Sequence, residues 1–473
     1  MRNWPNIAAL TLILLAPATI GADSDEDIQA IRAEIMALRA EYESRLTALE
    51  ARLDAAETSA GGTGLTAMSG SQPVSAAPSA TSAGDSVTAG NAFNPQISLI
   101  LDGNYYHDPL DGTGSALVSE AFQPSGGGHE QEGHTEHSGL NNGFNLREAE
   151  LAFSATVDPY FDAGAYIVFE DNGNVELEEA WFQTRALPWG LQAKGGRFLS
   201  DFGYINRQHP HQWDFADQNL PYLNLLGDHG LRDNGVQLTW LPDLPMYTLL
   251  GVEVLQGDQE RFGHFVEDDE ERLALGLADQ DSGPRLFTTF LKLGPDLGYD
   301  HAVQLGASFA HSTQHQEEAL AAEGDADLWG LDLIYRYDHP AAYGYRDLKL
   351  QAEYLRSSKD VTVRSGDALG TALDLTTDGY YLQGVYGLFP RWQLALRYDV
   401  LGPTNRVSGM ERISFEESDR WTLALTWVPS EFSLLRFQYA YNDILLEPGE
   451  RERFDAFWLQ FLLSLGTHGQ HRF

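Results

Sequence analysis

The chain has 473 residues, 69 acidic against 30 basic, and a formal net charge of −39, which excludes nucleic acid or an anionic membrane surface as partners held by a basic patch. It has no cysteine, so no disulfide framework is available and stability must come from strand pairing and packing. Beyond residue 22 no apolar run approaches the roughly twenty residues of a spanning helix, so the mature chain can cross a membrane only as a barrel.

Arg2, the apolar run through Ile7, Leu10, Leu12, Ile13, Leu14 and Leu15, and the small residues ending at Ala22 predict a secretory signal peptide over 1–22. A transmembrane helix is the alternative, but Pro17 interrupts the run and it is too short to span. Residues 23–58 lack Gly and Pro. Ile28, Ile31, Ile35, Leu38 and Tyr42 are spaced by three and four, the seam of an α-helical coiled coil. The seam skips to Leu46, Leu49, Leu53 and Ala56, which is one stutter. A lone amphipathic helix is the plainer reading. Successive Ile at core positions favours three strands and predicts a homotrimer. Residues 59–92, small and nearly uncharged, read as a flexible linker.

From 93 to 473 the chain reads as an all-β transmembrane barrel of about sixteen antiparallel strands. Their centres are 96–106, 144–157, 161–170, 175–186, 190–199, 232–241, 244–256, 283–293, 300–312, 327–338, 347–358, 377–388, 391–402, 418–428, 432–443 and 453–466. Short connections such as DPY, LPWG, FPR and VPSE follow the even strands. Long polar ones follow the odd strands, apart from EDNGN after the third. A sandwich has no reason to keep its long loops at one end, whereas a barrel with periplasmic turns and extracellular loops does. An even count also puts both barrel ends, and the coiled coil, on the periplasmic side.

The alternation is apolar outside and polar inside. Trp392, Leu394, Leu396, Tyr398 and Val400 oppose Arg391, Gln393, Arg397 and Asp399, while Trp421, Leu423, Leu425 and Trp427 oppose Arg420, Thr422, Ala424 and Thr426. Unpaired charges on an inner face are too costly for a dry core, so a wet interior is expected. The last strand puts Phe457, Leu459, Phe461, Leu463 and Leu465 on the lipid face, and the chain ends at Phe473, which resembles the signal read by the barrel-assembly machinery.

These parts in this order resemble the outer-membrane porins of Gram-negative envelopes that carry a coiled coil before a sixteen-stranded barrel, broadly the phosphate-selective and related substrate-specific porins. NPQISLILDGNY, ELEEAWFQTRALPWGLQAKGGRFLSDFGYINRQHPHQWDF and GDHGLRDNGVQLTWL resemble, more narrowly, a group labelled zinc-regulated TonB-dependent receptors. Such receptors carry a folded plug before a barrel of about 22 strands. Here only a coiled coil and a linker precede the barrel, which favours a passive channel.

The resemblance implies that the third extracellular loop, 200–230, folds into the lumen and forms the constriction, with Arg207, Asp214 and Asp217 at the eyelet. A loop packed at a trimer contact is the alternative. Among inner-face charges, Asp102, Glu148, Glu150, Asp162, Glu170 and Glu179 lie on the first four strands. Lys349, Arg391, Arg397, Arg420 and Arg436 lie on strands eleven to fifteen. Such an arrangement sets a transverse field or forms ordinary lumenal salt bridges.

Histidine is a further clue. His129, His134 and His137 alternate with Glu130, Glu132 and Glu136 in the Gly-rich first loop, a mixture suited to Zn²⁺ or another divalent cation, although it matches no rigid zinc motif. His209 and His211 form a second station deeper in the pore, and His468 and His471 a third near the exit. A solvated polar loop is the plainer reading. No nucleophile with its base, phosphate-binding loop or HExxH helix is recognisable, so no enzyme is expected.

The function expected is passive diffusion of small hydrophilic solutes, with an added role in divalent-metal (zinc) uptake; the alternatives are a zinc-related receptor and an envelope tether. No cofactor is required. The expected surroundings are outer-membrane lipid and lipopolysaccharide, which the acidic run Glu267 to Glu271 would meet through divalent ions.

Overall fold

The computed structural model describes residues 95–124, 139–171, 173–409 and 411–466. The expected signal peptide, coiled coil and linker, the first-loop histidines His129, His134 and His137, and His468, His471 and Phe473 all lie outside the described residues.

Sixteen long strands form one antiparallel sheet: β1 (Gln96–His107), β2 (Gly143–Thr156), β3 (Phe161–Phe169), β4 (Val175–Thr184), β5 (Leu191–Leu199), β6 (Arg232–Trp240), β7 (Tyr247–Leu255), β8 (Leu286–Gly294), β9 (His301–Glu317), β10 (Ala322–Tyr337), β11 (Leu348–Val363), β12 (Ala372–Phe389), β13 (Trp392–Leu401), β14 (Ser418–Ser430), β15 (Ser433–Glu447) and β16 (Glu450–Gly466). Each pairs with the next in the chain. β1 then pairs with β16 from Ser98↔Gly466 to His107↔Phe457, so the sheet is a closed barrel that satisfies its backbone with no exposed edge. A small hairpin, Arg406–Ser408 with Arg412–Ser414, rides on the outer part of β12.

Period-two patterning decides the facing as expected. Leu423, Trp421 and Trp427 are exposed on the lipid side, while Arg420, Thr422, Ala424 and Thr426 between them are buried. Exposed Tyr160, Trp189, Tyr247, Trp392 and Trp427 cluster towards the short-turn end, as an interfacial aromatic girdle does. The connections after β9, β11 and β15 are short rather than long. The reason is strand length: β9 to β12 run 16 to 18 residues, against the roughly 9–11 that span a bilayer, so the surplus continues outward as paired hairpin.

Loop three, 200–231, folds inward and carries the helix α2 (Leu220–Leu226), after α1 (Gly114–Ser119) in loop one. Asn219 Oδ1 caps α2 by accepting from the Tyr222 amide at 3.0 Å, and Gly227 (φ 93) ends it. The two loops are joined: Asn224 Nδ2 donates to Val118 O at 3.1 Å, and Gln123 Nε2 to Asn224 O at 2.6 Å. Phe202, Ile205, Trp213, Tyr222, Leu225 and Leu226 pack on inward-facing Phe198, Leu255, Leu286, Leu328 and Leu355. The wet interior expected from the strands therefore exists only in part. Loop three brings its own apolar side chains into the barrel and builds a dry core there.

Candidate functional site: the loop-three constriction

Two buried carboxylates on the wall fasten the start of loop three. Glu253 on β7 accepts from Ser200 Oγ at 2.5 Å, the Asp201 amide at 3.1 Å and Gln237 at 2.8 Å. Glu353 on β11 accepts from the Tyr204 and Ile205 amides at 2.7 and 3.1 Å, from Tyr222 Oη at 2.7 Å, and from Tyr381 Oη. Carboxylates satisfied by several donors can be buried where a lone one cannot. Gly203 makes the tight entry. It has φ +62, its carbonyl accepts from Lys292 Nζ, and a Cβ there would collide with Tyr222 Oη and Glu353.

Further along, loop three crosses the lumen between walls of opposite charge and meets each with the complementary charge. On one side are the acids of β1, β2 and β4. Two β-bulges crowd them. Between Asp102 and Gly103 the β1–β2 register shifts so that Arg147 is the extra residue, and between Tyr166 and Ile167 the β3–β4 register shifts so that Glu178 is. A bulge turns consecutive side chains towards one face, so Glu178 and Glu179 both point inward and both are buried. Strict alternation admits only one of them, which is why sequence reasoning found Glu179 and missed Glu178.

His209 and His211 flank Pro210 at a single 3₁₀ turn and face this acidic wall. His209 Nδ1 lies 2.9 Å from Glu178 and 3.2 Å from Glu150, and its Nε2 lies 2.8 Å from Glu179. His211 Nδ1 lies 3.4 Å from Glu150 and 3.6 Å from Glu148. The Tyr166 ring packs on His209 with centroids 4.8 Å apart. Burial by itself would keep both imidazoles neutral, but the carboxylates around them raise His209 well above its ordinary value and bring His211 up to about 9.

The opposite wall is basic. Asp217 accepts from Arg397 Nη2 at 2.9 Å and Arg420 Nη1 at 2.8 Å, and both guanidiniums also hold Asp399. Asp214 accepts from Lys349 Nζ at 2.8 Å and Gln383 at 2.7 Å. Arg436 donates to Trp213 O at 2.9 Å and Gln460 at 2.7 Å. Loop three thus converts the two charged walls from a transverse field across open water into two sets of local pairs.

Glu148, Glu150, Glu179, Asp214, Asp217, Arg397, Arg420 and Arg436 all meet at or beside loop three. Arg207 is half-exposed, 3.8 Å from Asp201, and borders the inner cavity. Arg391, expected on the inner face, sits instead in the turn after β12 (φ 70), donating to Pro429 O at 2.6 Å with its guanidinium over Tyr343. Two residues form that turn, and its geometry swings the side chain out of the strand alternation. Asp162 lies at the same rim, 3.5 Å from Arg185. Glu253 and Glu353 were missed. Their signal was a lone Glu at an inward position of GVEVL and QAEYL, which alternation alone does not separate from a solvated lumenal charge.

Among the described residues a cavity lies on each side of the loop. The outer, about 320 Å³, is bordered by Leu140, Arg147, Glu148, Asp171, Glu176, Glu178, Asp217, Asp228 and Arg420. The inner, about 600 Å³, is bordered by Lys194, Arg207, His209, His211, Arg336, Lys349 and Asp347 towards the short turns. Leu199, Gln208 and Trp213 border both. The partition between the cavities is therefore loop three itself.

A closed sixteen-stranded barrel with a lipid-facing apolar belt and an inward-folded third loop defines an outer-membrane channel protein. The family model for phosphate-selective porins O and P matches residues 302–444. An uncharacterised protein of Aquifex aeolicus is 35% identical over 396 residues, covering 81% of this chain and 80% of that protein. The chain belongs to this family of outer-membrane porins, and its place is the outer membrane. Among solved structures it is similar to the outer-membrane channel DcaP of Acinetobacter baumannii (12% identity, 78% of this chain and 97% of that one, TM-score 0.49). It is also similar to an anion-selective porin from Comamonas acidovorans (13% identity, 78% and 99%, TM-score 0.48).

Proposed function

We propose that the protein is a passive channel for small hydrophilic solutes that favours cations. The observation that carries this reading is the pair of cavities on either side of loop three, the outer one holding seven carboxylates against two arginines, Arg147 and Arg420. A low-dielectric cleft with an excess of one sign of charge concentrates the opposite ion, so cations gather above the constriction. A channel rather than an enzyme is what the family and the barrel support. The receptor reading loses ground because, among the described residues, the segments that pack together inside the barrel, loop one, loop three and the loop after β7, are each continuous with the wall rather than a separate plug.

Purified protein in a planar bilayer should conduct, and under a KCl gradient its reversal potential should take the sign for cations; a silent membrane or the anion sign overturns the reading. The homotrimer proposed from the Ile-rich seam should give conductance in three equal steps. Deleting residues 25–90 distinguishes a tether, whose phenotype would vanish while conduction by a porin persists. Divalent-metal traffic is the finer part of the proposal, and what supports it among the described residues is the placing of His209 and His211 against the acidic wall.

A further inference from the structure

At the centre of the acidic wall one carboxylate faces both imidazoles. Glu150 is fully buried on β2, and its Oε2 lies 3.2 Å from His209 Nδ1 and 3.4 Å from His211 Nδ1. Its oxygens accept no hydrogen bond of good geometry from any described residue. The charged imidazoles beside it offset its charge, and a divalent cation that displaced their protons would take over that role with direct bonds to the carboxylate and both rings. Each imidazole brings a second carboxylate to the same side: Glu178 Oε2 is 2.9 Å from His209 Nδ1, and Glu148 Oε1 is 3.6 Å from His211 Nδ1.

These separations have a geometric meaning. Donor atoms about 2.0 Å from a tetrahedral Zn²⁺ stand about 3.3 Å from one another, the length of the tetrahedron's edge. The four distances, 2.9, 3.2, 3.4 and 3.6 Å, bracket that edge, and in each of the two triads all ligand atoms lie within 4.8 Å of one another. The far side of His209 is arranged to match. Its Nε2 is 2.8 Å from Glu179, the carboxylate partner that fixes the ring of a metal-bound histidine and leaves the other nitrogen for the ion. Charge points the same way: four carboxylates surround two imidazoles, and the cation nearest Glu178, Arg232 Nη1, stands off at 3.8 Å and also pairs with Glu176.

We propose that Glu150 is the shared ligand of a divalent transition-metal site in the wall of the constriction, with His209 and Glu178 completing one triad and His211 and Glu148 the other. Imidazole with carboxylate selects borderline cations of the Zn²⁺ class over Mg²⁺ or Ca²⁺, which prefer all-oxygen shells. Glu148 and Glu178 border the outer cavity while His209 and His211 border the inner one, so a bound ion sits in the partition between them. The site builds on the cation-favouring channel reading, but binding and conduction are separately measurable.

The test uses the full chain in detergent with His129, His134 and His137 replaced by Ala, which removes the other histidine-rich segment, in buffer holding millimolar Mg²⁺ to occupy acidic loops. Zn²⁺ calorimetry should show saturable binding of one or two ions per chain, weakened at least tenfold by Glu150→Gln and by the double variant His209→Gln/His211→Gln. Folding of each variant is checked by its heat-modifiable mobility. Co²⁺ read on the unmutated site needs no variant of the cluster: intense visible bands of four- or five-coordinate cobalt are expected. Absence of saturable Zn²⁺ binding, binding unchanged in Glu150→Gln, or only the weak bands of six-coordinate cobalt overturns the site. A preparation that conducts without binding Zn²⁺ fails this inference alone. One that binds Zn²⁺ without conducting fails the channel reading instead.

Discussion

Arg420 donates to Asp217 at 2.8 Å across 203 residues of chain, joining a guanidinium on the barrel wall to a carboxylate on loop three. Arg397 holds the same carboxylate at 2.9 Å, and both arginines are nearly inaccessible to solvent. Asp217 is thus the clasp on the basic side of the loop. Removing one partner of a buried pair leaves the other charge uncompensated, at about 3–5 kcal/mol. Asp217→Ala should therefore loosen the loop from this wall, seen as faster proteolysis within 200–231 and a larger, noisier single-channel conductance. Unchanged proteolysis and conductance would show that the apolar core alone holds the loop.

The same clasp is sensitive to acid. Burial on its own would raise the Asp217 carboxyl, but Arg420 and Arg397 outweigh it and hold the group below its ordinary 3.8. A lowered value in the folded state means that the folded protein binds this proton less readily than the unfolded chain. The stabilisation is complete above about pH 3.8 and is lost as pH falls through the still lower folded value. Current fluctuations should rise only in that acid range, and Asp217→Asn should show them already at neutral pH.

Glu353 ties the loop at its other end. Tyr222→Phe removes one donor to a charged, buried acceptor, a loss of about 1.5–3 kcal/mol, without changing the ring's packing. Gly203→Val should cost more, because it combines a positive φ with a clash against Tyr222 and Glu353. Hydrogen exchange at Tyr204 and Ile205, whose amides Glu353 accepts, should quicken in both variants and more so in Gly203→Val.

On the outer surface the bilayer sets the scale. Leu423 is 45% exposed on the lipid face of β14, between the buried Thr422 and Ala424. Leu423→Arg should lower folding stability in lipid vesicles by about 2–4 kcal/mol, read by urea titration, while Leu423→Met should stay close to wild type. Equal stability of the two would place Leu423 away from hydrocarbon.

Strand number, facing and the side on which the long loops gather were legible in the residues, because a membrane barrel repeats one local rule: lipid demands an apolar side chain at every second position, as at Trp421, Leu423 and Trp427. The charge of each wall was legible for the same reason. Loop three was recognisable by its length and by HPH, yet nothing local in it says that His209 and His211 turn to one wall while Asp214 and Asp217 turn to the other.

That division belongs to the tertiary structure, since it depends on partners 30 to 221 residues away, as between His209 and Glu179 or Asp217 and Gln438. Glu178 makes the same point at closer range: a one-residue bulge, invisible to a period of two, moves it to the inner face and completes the cluster around Glu150. Pattern determines which surface a strand shows to lipid, because solvent acts on every residue in the same way. Pairing of buried charge is settled only when the loop closes, because each carboxylate must find its particular cation or imidazole before it can leave water.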